Sequence, residues 1–374
     1  MDVSKPRTFG YDLDRLSEVE GLHVLKSGES MLAVSGILQG RVFTSSSAGN
    51  EGQSYGWFNS KLIEDKAYDT AQAGMGGEGR LWFGPEWGPH NISFDPGKDQ
   101  TQDNFRRPEA LQKAKFEVLA QSETSVSTRG ELSIRNVDDF LFELEVHRSI
   151  DILDQSEIEE NLGIKLKGAQ SVGFSVETEM TNIGENWNRE TGLLSLWELG
   201  CMNRAEGNVV ILPLSKPATA DSISAYFTDA DPILRFKENV AFYRADANYF
   251  NKVGVRKEFS IDRMGSYDPV RKVLSIVTFT FDPDQTLFVN STPDNTDPYN
   301  GDVTNIFNGG VVPGKDIDLP FFEFESSSHA RELEKGESLS HTQKTYHFEG
   351  SLEALSGISK TVLGASLEGL PELY

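Results

Sequence analysis

The chain has 374 residues, of which 37% are hydrophobic and 25% charged, the composition of a folded protein with a sizeable core. Its formal net charge of -23 repels phosphate backbones and anionic membranes, which argues against nucleic-acid partners. The single cysteine, Cys201, excludes an intramolecular disulfide and any multi-cysteine metal site, and reads as a buried thiol.

No apolar run approaches the roughly 20 residues that span a bilayer, and Met1 to Thr8 lacks the apolar core of a signal peptide. The chain therefore reads as soluble: periplasmic or secreted if a signal peptide has been removed, otherwise cytoplasmic. Oligomeric state is not encoded in any pattern found.

In chain order, Asp12 to Glu20 is a short helical pattern, and Met31 to Leu38 is the first strand-like run. Turn-rich stretches follow at Ser45 to Gly52 and Gly74 to Gly79. A strand beginning near Gly79 then enters a loop punctuated by Gly and Pro, which gathers Trp82, Glu86, Trp87 and His90. Aromatic faces stack on the C–H faces of sugar rings while carboxylates and imidazoles bind hydroxyls, so Glu86, Trp87 and His90 are candidates for a glycan cleft. The plainer reading makes the tryptophans core residues, and Trp82 is assigned to the core.

Pro108 to Lys115 is a second helical pattern with Pro near its first turn. Strand-like runs continue at Leu141 to Ile150, Gly173 to Met180, Val209 to Leu214 and Val273 to Phe281. Between them, Gly192 to Gly200 sets Trp197 and Glu198 in an apolar run, where the carboxylate either faces a cleft or pairs with an arginine such as Arg148 or Arg189. The stretch Asp294 to Asn308 is rich in oxygen donors, but its spacing fails the calcium-loop pattern, and its Asp, Asn and Pro are also ordinary turn formers. Asp302, Asn305 and Asn308 are candidates for polar contact with a ligand.

The densest chemistry lies last. In a strand over Pro320 to Glu325, period-two alternation puts Phe322 and Phe324 on one face and Glu323 and Glu325 on the other. Two like charges on one face raise at least one pKa toward the range useful for proton transfer. The alternative is a solvated outer face. His329, His341 and His347 follow, and an even spacing gives His341 and His347 the same side of an unbroken strand. No H-E-x-x-H or H-x-H spacing supports zinc, so neither metal nor cofactor is expected. Many short strands without βαβ alternation or a clear linker imply one all-β antiparallel domain over residues 1–374.

Several segments carry a family resemblance: Gln39 to Ser45, Ser54 to Phe58, Leu81 to Glu86, Thr181 to Gly184, Gly301 to Asn305 and Phe324 to Ser328. The sequence resembles the galactose mutarotase-like (aldose 1-epimerase-like) superfamily, most closely a group of largely uncharacterised bacterial proteins within it. The resemblance implies a β-supersandwich of large, twisted antiparallel sheets with its ligand on a concave face. It implies Glu325 or Glu323 as the base at the anomeric hydroxyl, and His90 or His329 as the acid at the ring oxygen. One departure stands out: aldose epimerases carry a histidine soon after the T-N-x-G turn, whereas Ser195 to Gly200 has none. The expected function is thus a carbohydrate-binding or carbohydrate-active protein, epimerase-like if catalytic. The alternatives are a noncatalytic glycan-binding module and a hydrolase or lyase using paired carboxylates. Around Glu325 and Glu323 the expected ligand-binding set is Glu86, Trp87, Trp197, Glu198, Asp302, Asn305, Asn308 and His341.

Overall fold

The computed structural model describes residues 7–68, 72–293, 296–370 and 373–374. Strand makes up 43% of it and helix 13%, in agreement with an all-β chain. A six-stranded antiparallel sheet runs from Ile223–Ala225 through Asn251–Arg256, Asp302–Val311, Asp318–Ser327 and Ser195–Asn203 to Arg80–Gly84. A ten-stranded sheet packs against it, with Ser338–Gly350, Ala169–Asn182 and Leu141–Leu153 as neighbouring long strands. A three-stranded sheet, Leu22–Ser27, Ser30–Ser35 and Arg41–Ser46, packs its Leu25, Leu32, Val34 and Val42 against Ile150, Val172, Phe174 and Val176 of the ten-stranded one.

The core between the two larger sheets is built by alternation. Phe322, Phe324, Ile306 and Val253 of the six-stranded sheet meet Val210, Tyr243, Met264 and Val277 of the ten-stranded one. On the far side of the ten-stranded sheet, the helix Leu352–Val362 lays Leu355, Ile358 and Val362 over Ile211, Leu274 and Phe348. No helix among the described residues is long and apolar enough to cross a membrane.

The sequence-predicted strands are present with shifted ends: Gly173 to Met180 extends to Ala169–Asn182 and Leu141 to Ile150 reaches Leu153, whereas the runs predicted to Leu38, Leu214 and Phe281 stop at Ser35, Pro213 and Phe279. The first helix is Phe9–Leu16, starting earlier because the Thr8 hydroxyl accepts from the Tyr11 amide and caps it there. The second is Glu109–Lys113, immediately after Pro108. A larger difference concerns the oxygen-rich stretch. Asp294 and Asn295 lie outside the described residues, but from Asp302 the chain is a strand to Val311 rather than a loop, paired on both sides.

Glu198 lies on the inner face of Ser195–Asn203 and crosses to the ten-stranded sheet. Arg148 donates to both of its carboxylate oxygens, at 2.7 and 3.0 Å, and also to Thr178 Oγ1 at 2.7 Å. Both side chains are almost fully buried. Because a buried charge left alone is far costlier than a buried pair, Arg148→Met is expected to lower stability by roughly 3–5 kcal/mol, and Arg148→Met/Glu198→Leu to recover most of that loss. Urea denaturation of the two variants is the check; equal losses in both would contradict the pairing.

Candidate functional site

Alternation along Asp318–Ser327 turns Glu323 and Glu325 to the face away from the ten-stranded sheet. They are not solvated: Glu323 is 8% and Glu325 1% exposed. Each has its own cation, brought from a strand two positions away. Arg80 Nη2 donates to Glu323 Oε1 at 2.9 Å, and the Cys201 thiol donates to the same oxygen at 2.9 Å. On the opposite side Lys252 Nζ donates to Glu325 Oε2 at 2.8 Å. The ammonium also lies 4.5 Å from the ring centroid of Trp197 and 5.4 Å from that of Tyr226, favourable cation–π positions.

A register shift between Val255 and Arg256 sets Asp302 opposite Arg256, on the same face as Asn305 and Lys252. Asp302 accepts from Tyr226 Oη at 2.6 Å and Ser224 Oγ at 3.0 Å. Gly254 leaves room for both side chains, since a Cβ there would crowd the Asp302 carboxylate and the Asn305 amide. A single face thus carries Lys252, Tyr226, Asp302, Asn305, Glu325 and Glu323.

Burial raises the Glu325 carboxyl to about 7; the Lys252 charge pulls it down and the Glu323 charge pushes it up, without cancelling the burial. For Lys252, burial disfavours the charged amine, but the carboxylates of Glu325 and Glu86 outweigh it and hold the pKa above its ordinary value. Burial likewise lifts Asp302 above the usual carboxylate range, against the lowering effect of its two hydroxyl donors. The Cys201 thiol is pushed up by burial and by Glu323, so it is a neutral donor rather than a nucleophile.

Beside this face opens a cleft of about 480 Å³. One wall comes from the excursion after Gly84 and carries Glu86, Trp87 and Phe105. The other comes from the sheet edge and carries Tyr226, Phe227 and Phe250, with Lys252 also lining the cleft. Trp87 stacks on Phe105 with centroids 5.6 Å apart, and Phe227 lies against Phe250 at 5.1 Å. Glu325 is not in the lining but adjoins it through Lys252. The indole N–H of Trp197, beneath Lys252, is buried without a protein partner.

The structure sorts the residues expected from sequence. Glu86 and Trp87 line the cleft, and Trp197, Asp302, Asn305 and Glu325 lie on the sheet face that adjoins it. Glu323 shares that face but is committed to Arg80 and Cys201. Glu198 is on the opposite face, in the Arg148 pair. Asn308 also points inward, accepting from the Ala247 amide and donating to the Tyr249 carbonyl, both at 2.8 Å. His341 lies between the sheets, with Nε2 2.7 Å from Ser326 Oγ. No histidine lines the cleft. His90 is drawn to Asp138, 2.5 Å from Nδ1, and its ring stacks beside Tyr299; His329 is placed past the strand end, near Asp282 and Arg331.

Sequence reading missed Lys252, Tyr226, Arg80, Phe105, Phe227 and Phe250. A signal existed for one of them: in Asn251–Arg256, Lys252, Gly254 and Arg256 alternate with Val253 and Val255, an isolated lysine on the face opposite a buried valine pair.

The sequence belongs to the family of unknown function DUF6786, which matches residues 7–373. No curated protein matches it. Among solved structures, it is similar to a galactose mutarotase-like protein from Lactobacillus casei, with 13% identity, a TM-score of 0.50, and coverage of 87% of this chain and 100% of that one. The Slr1438 protein of Synechocystis is similar at 13% identity and a TM-score of 0.51, over 88% and 96% of the two chains. A candidate aldose 1-epimerase from Escherichia coli is similar at 11% identity and a TM-score of 0.51, over 88% and 99%. The fold is therefore galactose mutarotase-like.

His341 supplies a test of the inner face. Ser326 Oγ donates to Gln343 Oε1 at 2.7 Å, so the imidazole must donate through Nε2, which leaves Nδ1 bare and the ring neutral. Burial lowers its pKa to about 3, with the His329 charge adding to the effect. Below about pH 6.5 the unfolded chain binds a proton that the folded chain refuses, so stability is complete above that pH and falls as acid approaches pH 3. His341→Gln is expected to flatten this limb by up to about 1.4 kcal/mol per pH unit in denaturation series. Identical slopes would contradict a buried neutral ring.

Proposed function

We propose that this member of the family binds a saccharide in the cleft between the Glu86–Phe105 wall and the Tyr226–Phe250 wall, with Lys252 and Glu325 as its proton-transfer pair. The observation that carries the reading is the Lys252–Glu325 contact at 2.8 Å, buried at the edge of an aromatic-walled cleft. A carboxyl that titrates near neutrality, hydrogen-bonded to an ammonium, can exchange a proton with little driving-force cost. Aromatic walls suit the C–H faces of a pyranose, and Glu86, Tyr226 and Lys252 suit its hydroxyls.

The reaction such a pair suits is ring opening at an anomeric carbon. Glu325 takes the proton of the anomeric hydroxyl while Lys252 gives one to the ring oxygen. The C1–O5 bond then breaks to leave an aldehyde, and reclosure on its other face reverses both transfers. Lys252 offers the donor that is missing from Ser195 to Gly200. A hydrolase using Glu323 and Glu325 together is less well supported, because Glu323 already accepts from Arg80 and Cys201. A noncatalytic binder draws support from the 1% exposure of Glu325, which leaves Lys252 as the group a ligand meets first.

Polarimetry and saccharide titration followed by NMR test both versions. Glu325→Gln is expected to retain binding within a few-fold and to lose about 10²-fold or more in turnover, with wild-type turnover rising through about pH 7 as Glu325 ionises. Binding without turnover on any aldose would leave the noncatalytic version. Absence of saccharide binding altogether would overturn the proposal.

A further inference from the structure

Resting on the carbohydrate reading of the same cleft, we infer that its ligand is the reducing end of an oligosaccharide rather than a free monosaccharide. The groups suited to chemistry, Lys252 with Glu325 behind it, meet only one end of a sugar. Among the described residues five aromatic ones line the cleft, Trp87, Phe105, Tyr226, Phe227 and Phe250, more than the two faces of one sugar ring can stack on.

Phe227 is 43% exposed, an aromatic ring at the lip of the cleft on the outermost part of the six-stranded sheet. Its ring rests on Phe250 and meets the edge of Phe307 at 6.3 Å, so it is held in place while one side stays open. Leaving such a surface in water forgoes the gain that burial would bring, and none of the described residues covers its open side. On the facing wall Phe105 is backed by Trp87 and, edge-on, by Phe94 at 5.8 Å. The two walls therefore present rings supported from behind, which costs little side-chain entropy on binding.

Size points the same way. A cleft of about 480 Å³ lies within the roughly 300–1,000 Å³ that buries ligands larger than a single sugar ring. The outer lining is also of the kind that meets further sugar units: Gln102, Ser291 and Lys315 offer polar groups for hydroxyls, while Pro293 and Pro313 are flat and apolar. The terminal unit would lie against Lys252, Glu86 and Tyr226, and the units before it would pass between Phe105 and Phe227.

Calorimetry with one- to four-unit series of β-1,4-gluco-, β-1,4-xylo-, β-1,4-manno-, β-1,4-galacto- and α-1,4-gluco-oligosaccharides tests this. In any series that binds, affinity is expected to rise about tenfold from one unit to three and then level off. Phe227→Ala should abolish that gain, so that one and three units bind alike, and Phe227→Tyr should restore it. Because Phe227 is exposed, circular dichroism of the alanine variant should match that of the wild type. Equal affinity for one and three units, with the monosaccharide bound, overturns this inference alone and leaves the carbohydrate reading standing. A gain from an aryl aglycone on a monosaccharide, with none from added sugars, overturns it too. Binding of no saccharide removes both.

Discussion

The site depends on how two buried carboxylates are neutralised. Glu323 and Glu325 face the same way from one strand and are nearly excluded from water, where an uncompensated charge costs several kcal/mol. Neither adjacent strand supplies the cation. Arg80 reaches Glu323 across Ser195–Asn203, and Lys252 reaches Glu325 across Asp302–Val311. The two carboxylates are therefore drawn toward opposite sides of their strand, and their environments diverge. Glu323 is fixed by an arginine and a thiol. Glu325 is left with a lysine that borders a cleft and with a pKa near neutrality. Pairs of acids whose surroundings push them apart in this way are the usual basis of distinct chemical roles.

The opposite face of the same sheet shows what a purely structural pair looks like. Arg148 grips both oxygens of Glu198 and also bonds Thr178, with both charged side chains almost fully buried, and a planar guanidinium fork suits that geometry. Lys252 is a point charge with three donors; one goes to Glu325, while the aromatic faces of Trp197 and Tyr226 stabilise the charge without saturating its hydrogen bonds. Because Trp197 and Glu198 are neighbours, one residue of slip in Ser195–Asn203 would exchange the two faces. The buried Arg148 pair thereby fixes the register on which the site relies.

Much of this was legible in sequence because period-two alternation is local. Phe322, Glu323, Phe324 and Glu325 sort to two faces as their spacing implies, and His341 and His347 share a side of the unbroken strand Ser338–Gly350. Charge partners are not local: Lys252 is 73 positions from Glu325 and Arg80 is 243 from Glu323, so no pattern could join them. Asp302 was obscured differently, because a bulge rather than spacing chooses its face. Its strand was hidden by Asp and Asn, which favour turns until pairing on both sides overrides the preference. The helix Gln155–Leu162, by contrast, was overlooked despite a readable signal, the reciprocal cap between Asp154 and Glu157.

Charge also constrains what the cleft suits. A chain of net charge -23 surrounds any ligand with a repulsive field for anions, which a dedicated basic pocket would have to overcome. The cleft is not basic. Among the described residues its lining contains two lysines, Lys252 and Lys315, and one carboxylate, Glu86, while Glu325 adds a second acid directly behind Lys252. When Glu325 is ionised these charges cancel, leaving hydrogen-bonding groups of both signs between aromatic walls. An anionic ligand would gain nothing from the global field and little from the local one, and a cation would meet Lys252 first. A neutral, polyhydroxylated ligand with apolar ring faces matches both the balance of charge and the walls, so the proposal of a sugar is argued from this site's own chemistry.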